Sequence, residues 1–532
     1  SNKLDLYAQD EITVNDQLRL TFGLRASAVW FGKTALENPA VTAQTFANGE
    51  RFNTGNMPDT QYLFEPRFGF NLDLTGDNTT QLRGGTGIFT GRAPSVFLSN
   101  AIGNNGVLTG FVDADANSND LPRFGFTPNP NNYFIPKTPT LPSTIELAFT
   151  DNDFKFPQVW KTNIAVDQKL PFGFVGTIET IFSKNINEVF YYNANFADAV
   201  GTLNGSVSGD NRLLYGGTDN GVRVNNNVSS AVVLSNSNQG YFYSTTFKLE
   251  LPYRKGLWGS FAYTHSGAYD LLNAGSIAAG SWTGARSVNG NNDLSLAASN
   301  NNTPNRLVGI LGYRLEYGKR EGIARAATSI NLGYIGEQAS PFTYTYGSDL
   351  NGDRVNGNDL LYVPLKATDL RFNPISQTVG GSSIVLYTEA QQQEAFDKYI
   401  DQDPYLSKRR GQYVERNAMT IPMLHRLDLS VTQDFIIKIG GKDNTFQFRA
   451  DILNFTNLLN SNWGVSQRTT NANVLSVAQA PNNTNNFTPV YTLAFQTDEQ
   501  GKRALIKDTF QKNASSFDVW QAQFTLRYIF GK

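Results

Sequence analysis

The sequence predicts an all-β fold: a transmembrane antiparallel β-barrel with long extracellular loops. Three observations predict it. Apolar and polar residues alternate with period two over stretches of about ten residues, the length a tilted strand needs to cross a bilayer. Short turns alternate strictly with long polar connections. No window holds about 18 uninterrupted apolar residues, and mean hydropathy is -0.34, so the chain has no membrane-crossing helix.

Each strand follows from its alternation. The first hairpin covers 4 to 14 and 17 to 30, with Leu18, Leu20, Phe22 and Leu24 set against Arg19, Thr21, Gly23 and Arg25. The second covers 62 to 74 and 80 to 90; Phe64, Pro66, Phe68, Phe70, Leu72 and Leu74 form one face, and Glu65, Arg67, Gly69, Asn71 and Asp73 the other. Thr75-Gly76-Asp77-Asn78 closes it. Leu170-Pro171-Phe172-Gly173 joins 158 to 168 with 174 to 184. Pro252 to Gly256 joins 257 to 265 to the strand 241 to 251, whose apolar face is Tyr241, Tyr243, Thr245, Phe247, Leu249 and Leu251. Gly318 to Gly322 joins 323 to 336 to the strand 305 to 317, carrying Leu307, Gly309, Leu311, Tyr313, Leu315 and Tyr317. Gly440-Gly441-Lys442-Asp443 turns 425 to 435 into 445 to 455, with Phe446, Phe448, Ala450 and Ile452. The last strand, 520 to 530, sets Trp520, Ala522, Phe524, Leu526, Tyr528 and Phe530 against Gln521, Gln523, Thr525 and Arg527, with Ile529 as an exception.

A soluble sandwich also alternates. It would need solvent over mid-strand charges such as Lys248, Glu250, Arg449 and Asp451 while burying a crowded aromatic face, whereas lipid outside and water inside satisfy both faces. The long connections, 31 to 61, 91 to 157, 185 to 240, 266 to 304, 337 to 424 and 456 to 519, are then extracellular. Their Asn runs (Asn225 to Asn227, Asn300 to Asn302, Asn482 to Asn486 with Thr484 inside) suit turns in water-exposed loops. Trp30, Trp160, Tyr241, Tyr263, Trp520, Tyr528 and Phe530 fit interfacial girdles. The count is 13 strands, whereas single-chain barrels are even-numbered and an open sheet edge in lipid costs several kcal/mol per unpaired group. The expectation is the C-terminal part of a barrel of about 22 strands, the size of plugged outer-membrane transporters, with the plug domain absent from this chain.

Composition removes other classes. Lys+Arg 44 against Asp+Glu 46 leaves -2, without the basic footprint of a nucleic-acid binder. With Cys 0, thiolate metal sites and thiol nucleophiles are excluded; His265 and His425, the 2 imidazoles, suit rim positions. No Ser, His and Asp grouping has supporting local sequence, so no enzyme is expected. Ser1 to Asp10 is not a signal peptide, which would lie upstream or have been removed.

Several segments resemble a known family. Leu6-Tyr7-Ala8-Gln9-Asp10 with Leu18 to Arg25, Arg449 to Asn457, and Leu526 to Phe530 resemble recurrent strands of TonB-dependent outer-membrane transporters. Gly87 to Pro94, Gln158 to Asn163 with Asp167-Gln168, Ser348 to Pro364, and Tyr405 to Tyr413 resemble the Oar-like branch common in Bacteroidetes, whose members often carry an N-terminal carboxypeptidase-regulatory-like domain. The resemblance implies energised transport of a bulky solute (peptide, glycan, metal chelate or protein). It implies as partners the outer-membrane lipids, a TonB–ExbB–ExbD complex acting through an upstream segment, and a surface lipoprotein, with no nucleic acid. The chain ends Gly531-Lys532, two residues past the terminal aromatic Phe530. The competing classes are a passive pore, which a ring of selectivity charges would mark, and an adhesion or display scaffold.

The sharpest candidate site is Asp349 to Asp359. Asp349, Asn351 and Asp353 occupy positions 1, 3 and 5 of a calcium loop, with the carbonyl of Val355 at 7. The closing acid, Asp359, stands one place early, and Arg354 replaces the usual Gly at 6; an Asx-rich turn is the alternative. Calcium is the one cofactor expected, stiffening an extracellular loop. Gly85-Thr86-Gly87 with Gly91 reads as strand glycines, not a phosphate loop. Arg67, Arg83, Lys248, Glu250, Asp428, Arg449 and Asp451 line the lumen, as a solvated wall or a substrate path. Thr388 to Tyr399 predicts a surface helix in the longest loop, or a docking element for a partner.

Overall fold

The computed structural model describes residues 1–107, 127–129, 145–203, 209–218, 221–318, 325–477, 487–497, 501–513 and 515–530. Thirteen antiparallel strands form one continuous wall. They are numbered here β1 (Asn2–Thr13), β2 (Leu18–Trp30), β3 (Gln61–Asp73), β4 (Thr80–Thr90), β5 (Gln158–Lys169), β6 (Val175–Asn193), β7 (Tyr241–Arg254), β8 (Leu257–Asp270), β9 (Asn305–Tyr317), β10 (Ala326–Glu337), β11 (Leu424–Ile439), β12 (Lys442–Leu453) and β13 (Gln521–Ile529). Each pairs with its neighbour in sequence order, so every short turn falls at one end of the wall and every long connection at the other. Among the described residues β1 pairs only with β2 and β13 only with β12, leaving two unpaired edges.

The register carries one face around all thirteen strands. Leu20 sits opposite Phe70, Phe22 opposite Phe68, Phe247 opposite Ile178, Leu311 opposite Leu332, and Phe446 opposite Tyr528. These side chains are exposed or half-exposed although large and apolar, as a lipid-facing band must be in a bare chain (Phe261 47%, Leu526 78%). Two hairpins close on two-residue turns. Lys255-Gly256 (φ 52 and 89) and Gly440-Gly441 (φ 60 and 82) have positive φ at both positions, the type I′ geometry that matches strand twist. Lys442 and Asp443, expected in the turn, belong to β12. Residues 319–322 of the β9–β10 turn, 323–324 of the next expected strand, Asn482 to Asn486 and Gly531-Lys532 lie outside the described residues.

The connections are more ordered than their composition predicts. β6 runs to Asn193, beyond the expected end at 184, because Val228–Ser237 pairs antiparallel with its residues 188–193; Ile145–Thr150 then adds in parallel. Three apolar cores lie under the long connections. One gathers Phe97, Tyr191, Phe196, Tyr215 and Trp282; a second Tyr344, Leu361, Phe396, Ile400 and Tyr491; a third Val41, Phe46, Phe149 and Val233. Together they build a cap on one end of the wall. The predicted helix is present as Glu389–Gln402, with Thr388 and Gln391 forming a capping box. It lies at the surface as expected, with Glu394 and Lys398 exposed, but its other face is anchored: Gln392, Phe396, Tyr399 and Ile400 are buried, the last three in the second core. Asparagine also behaves differently from expectation. Asn226, Asn227, Asn300 and Asn301 are exposed, but Asn38, Asn195, Asn291 and Asn454 are buried and tie loop backbones together; Asn195, for example, donates to the carbonyls of Asn225 and Val228.

Adjacent residues on β8 test the two faces. Phe261→Arg, facing lipid, should lose about 2 kcal/mol of folding free energy in a bilayer, while Ser260→Arg, beside Glu250 on the inner face, should stay within about 0.5 kcal/mol. Urea-titrated refolding into vesicles measures both, and equal losses would contradict the assigned faces.

Candidate functional site

The inner face of the wall carries charge that is internally balanced. Arg25 pairs with Asp5 (2.8 Å), Arg67 with Glu65 (3.1 Å), Arg83 with Asp167 (2.9 Å) and Glu179 (3.6 Å), and Arg314 with Asp434 (2.9 Å). Lys248 pairs with Glu250, and Arg449 with Asp451 (2.8 Å). Asp428 accepts from the backbone N–H of Asn454 (2.7 Å). Every lumenal residue singled out in the sequence thus has a partner on the wall or, for Asp428, just past the end of β12. The geometry is a solvated polar surface, without an unpaired ring of one sign among these residues.

Both histidines sit on the wall. His265 on β8 lies within hydrogen-bond distance of Asn305 (3.1 Å), and His425 on β11 of the Tyr334 hydroxyl (2.7 Å). Gly85 and Gly87 are strand glycines in β4, where a Cβ would meet the Phe68 and Pro66 carbonyl oxygens at 2.9 Å; they permit close strand approach.

The Asp349 to Asp359 segment lies at the junction of three connections. Its backbone accepts from Tyr215 N–H at the Asn351 carbonyl (2.8 Å) and from Gly217 N–H at the Gly352 carbonyl (3.0 Å), and Leu360 N–H donates to the Ser287 carbonyl (2.9 Å). Asp349, Asn351, Asp353, Asn358 and Asp359 are all buried. Their oxygens cap backbone amides: Asp349 accepts from Gly352, Asp353 and Arg354, Asp353 Oδ1 from Val355, and Asp359 Oδ2 from Leu350 and Asn351. Among the described residues no three acidic or imidazole side chains stand close enough together to hold a metal ion between them. Burial, with the charges of Asp359 and Asp349 added to it, pushes the Asp353 carboxyl well above the usual carboxylate range, and burial raises Asp359 despite Arg212.

Arg212 is the residue that sequence reasoning missed. It is fully buried, pairs with Asp210 (2.9 Å) and Asp359 (3.2 Å), and donates to the Leu360 carbonyl (2.8 Å). Its guanidinium lies 4.9 Å from the Tyr346 ring centroid and 5.7 Å from that of Tyr413, whose hydroxyl donates to Asp210 (2.9 Å). A second buried node, Asp403, ends the Glu389–Gln402 helix. It accepts from the Tyr344 hydroxyl (2.5 Å), the Thr509 hydroxyl (2.7 Å) and the N–H groups of Tyr405 and Leu406 (2.9 Å each), joining the connections 337 to 424 and 456 to 519. No local motif marks either residue: beyond their near neighbours, Arg212 depends on Asp359 and Leu360, and Asp403 on Tyr344 and Thr509, all far away in sequence.

Arg212→Met leaves Asp210 and Asp359 buried without their cation, so the cap should lose about 3–5 kcal/mol of local stability. Native-state hydrogen exchange should show faster exchange through 210–217 and 344–361 with the wall strands unchanged; uniform slowing or no change would refute the node.

Residues 1–500 match the model of the outer membrane beta barrel domain family. No curated protein matches the chain. Similar solved structures include the FrpB iron transporter from Neisseria meningitidis, at 10% identity over 86% of this chain and 41% of that one, TM-score 0.36. Others are BauA, the ferric preacinetobactin receptor from Acinetobacter baumannii (8% identity, 99% of this chain and 43% of that one, TM-score 0.37), and the outer membrane transporter YddB from Escherichia coli (10%, 99% and 54%, TM-score 0.37). The chain spans 41% to 54% of the length of these three. With thirteen strands that turn one apolar face to lipid and a family match over nearly its whole length, the chain belongs to the outer membrane beta barrel domain family and resides in the outer membrane.

Proposed function

We propose that this chain forms the wall and extracellular cap of an energised, TonB-dependent outer-membrane transporter for a bulky solute, of the Oar-like branch. The observation that carries this is the cap. Long connections packed on three apolar cores make a rigid receptor surface, and the lumenal charges are paired off instead of forming a selectivity ring. Two segments of the Oar-like resemblance, Ser348 to Pro364 and Tyr405 to Tyr413, also meet in space: Tyr362 pairs with Tyr413 and Val363 with Gln412. The wall closes with further strands, about nine, because the free edges of β1 and β13 would otherwise each expose a row of backbone groups to lipid. An upstream plug and TonB box complete the machine.

The same reading assigns calcium to Asp349, Asn351, Asp353, the Val355 carbonyl and Asp359. Its support is uncompensated charge. Asp349, Asp353 and Asp359 are buried carboxylates of which the fully buried Arg212 pairs with Asp359 alone, besides Asp210, and the buried Asn358 keeps its Oδ1 without a hydrogen-bond partner while its amide donates to Asp353 (2.7 Å). Calcium would brace the junction of three connections.

Two measurements test these readings. Protein extracted from outer membranes should be far heavier than 58.7 kDa, show a plug-like segment upstream of Ser1 by peptide mapping, and retain the periplasmic domain of TonB; a chain beginning near Ser1 that ignores TonB would leave a passive pore or display scaffold. Calcium at about 100 times its dissociation constant should stabilise the cap by about 2.7 kcal/mol over chelator, read as protease resistance, and Asp353→Asn should erase the difference. No difference in the unsubstituted protein would leave an Asx-turn loop.

A further inference from the structure

We propose that a cavity of about 320 Å³ in the cap, lined by Arg286, Arg416, Asn273 and Asn300, binds an oxyanion, a carboxylate or phosphate group, of the captured solute. This deepens the capture reading by naming the chemical handle of the solute. It rests on that reading only for its biological use.

The two arginines differ in what holds them. Arg416 is nearly buried and held through one nitrogen: its Nη2 lies within hydrogen-bond distance of the Asp270 carboxylate (2.6 Å), the Asp270 carbonyl (2.5 Å) and the Ala297 carbonyl (3.5 Å). Arg286 is half-buried and, among the described residues, makes no ion pair or hydrogen bond. Burial disfavours its charge, and repulsion by Arg416 adds to this. A half-buried guanidinium beside a second cation, with the Asp270 carboxylate committed to Arg416, is an unfavourable arrangement. An oxyanion in the cavity removes it.

Asn300 adds a donor to the lining. Asn300 spends its Oδ1 on the Asn417 amide (2.7 Å), so what it can offer a ligand is its NH₂. Ser281 is occupied within the cap, accepting from Gly275 N–H (2.8 Å) and bonding the Ile277 carbonyl (2.8 Å). Guanidinium is planar and presents paired N–H groups, the geometry that grips carboxylate or phosphate with two parallel hydrogen bonds. The volume lies at the small end of ligand sites, enough for the acidic terminus of a larger solute and too little for the whole of a bulky one.

Isothermal titration of the full-length detergent-purified protein tests this without energised transport, so it can fail while the transport reading stands, and the reverse. The probes are succinate, inorganic phosphate and uncharged succinamide. Succinate or phosphate, or both, should bind, and which of them binds sets the chemistry; succinamide should not. Arg286→Gln should weaken the bound anion at least tenfold, and Arg286→Lys by less. Loss of fold is checked by melting in anion-free buffer, where Arg286→Gln should melt at or above the temperature of the unsubstituted protein because an unpaired charge has gone. Absence of binding by both anions, equal binding by succinamide, or unchanged affinity in Arg286→Gln would overturn the assignment.

Discussion

The constraint on which everything else depends is that no backbone N–H or C=O may face lipid unpaired. In hydrocarbon there is no water to take the place of a missing partner, and each orphan costs several kcal/mol. Pairing neighbouring strands along the chain, β1 to β13, satisfies that demand with the shortest connections, and it forces side chains to alternate between two unlike solvents. A slip of one residue at any pair would turn an apolar row toward water and a charged row toward lipid. Phe68 opposite Phe22 on one face and Arg25 opposite Glu65 on the other show how the register is held from both sides.

The cap answers to a different solvent and different rules. Its segments are too polar and too rich in asparagine to form ordinary sandwich strands, yet they bury three apolar cores. Buried amide side chains do the work that regular ladders do elsewhere, bonding backbone groups of segments far apart in sequence. Arg212 and Asp403 are the charged versions of the same device: each gathers several connections around one desolvated group.

The wall was legible in the sequence because its signal is local. Phe64 to Leu74 reads as a two-faced strand from its own residues, and all thirteen strands overlap the stretches where alternation placed them, although β6, β7, β8 and β11 run further, to Asn193, Arg254, Asp270 and Ile439. The helix at Glu389–Gln402 was legible for the same reason, through its capping box and composition, but its burial was not, since Phe396 and Ile400 meet their neighbours only in the fold. The far half of β6 was missed because its pairing partner, Val228–Ser237, lies inside a long connection and its buried run from Ala231 to Leu234 does not alternate. The acidic loop was visible as a motif, whereas Arg212, the cation it packs against, stands 137 residues or more upstream and carries no local mark.

One consequence follows from the length of β6. Because it continues without interruption from the turn end of the wall to Asn193 and there joins Val228–Ser237 and Ile145–Thr150, wall and cap share a single hydrogen-bonded sheet. Two bodies joined by a flexible tether can rock independently; two bodies joined by a ladder transmit shear. Ladder bonds loaded along the strand break together, not one by one, so on this side a pull on the wall is felt by the cap as a displacement of its base. The cap is hinged, if anywhere, on the connections that lack such a strand.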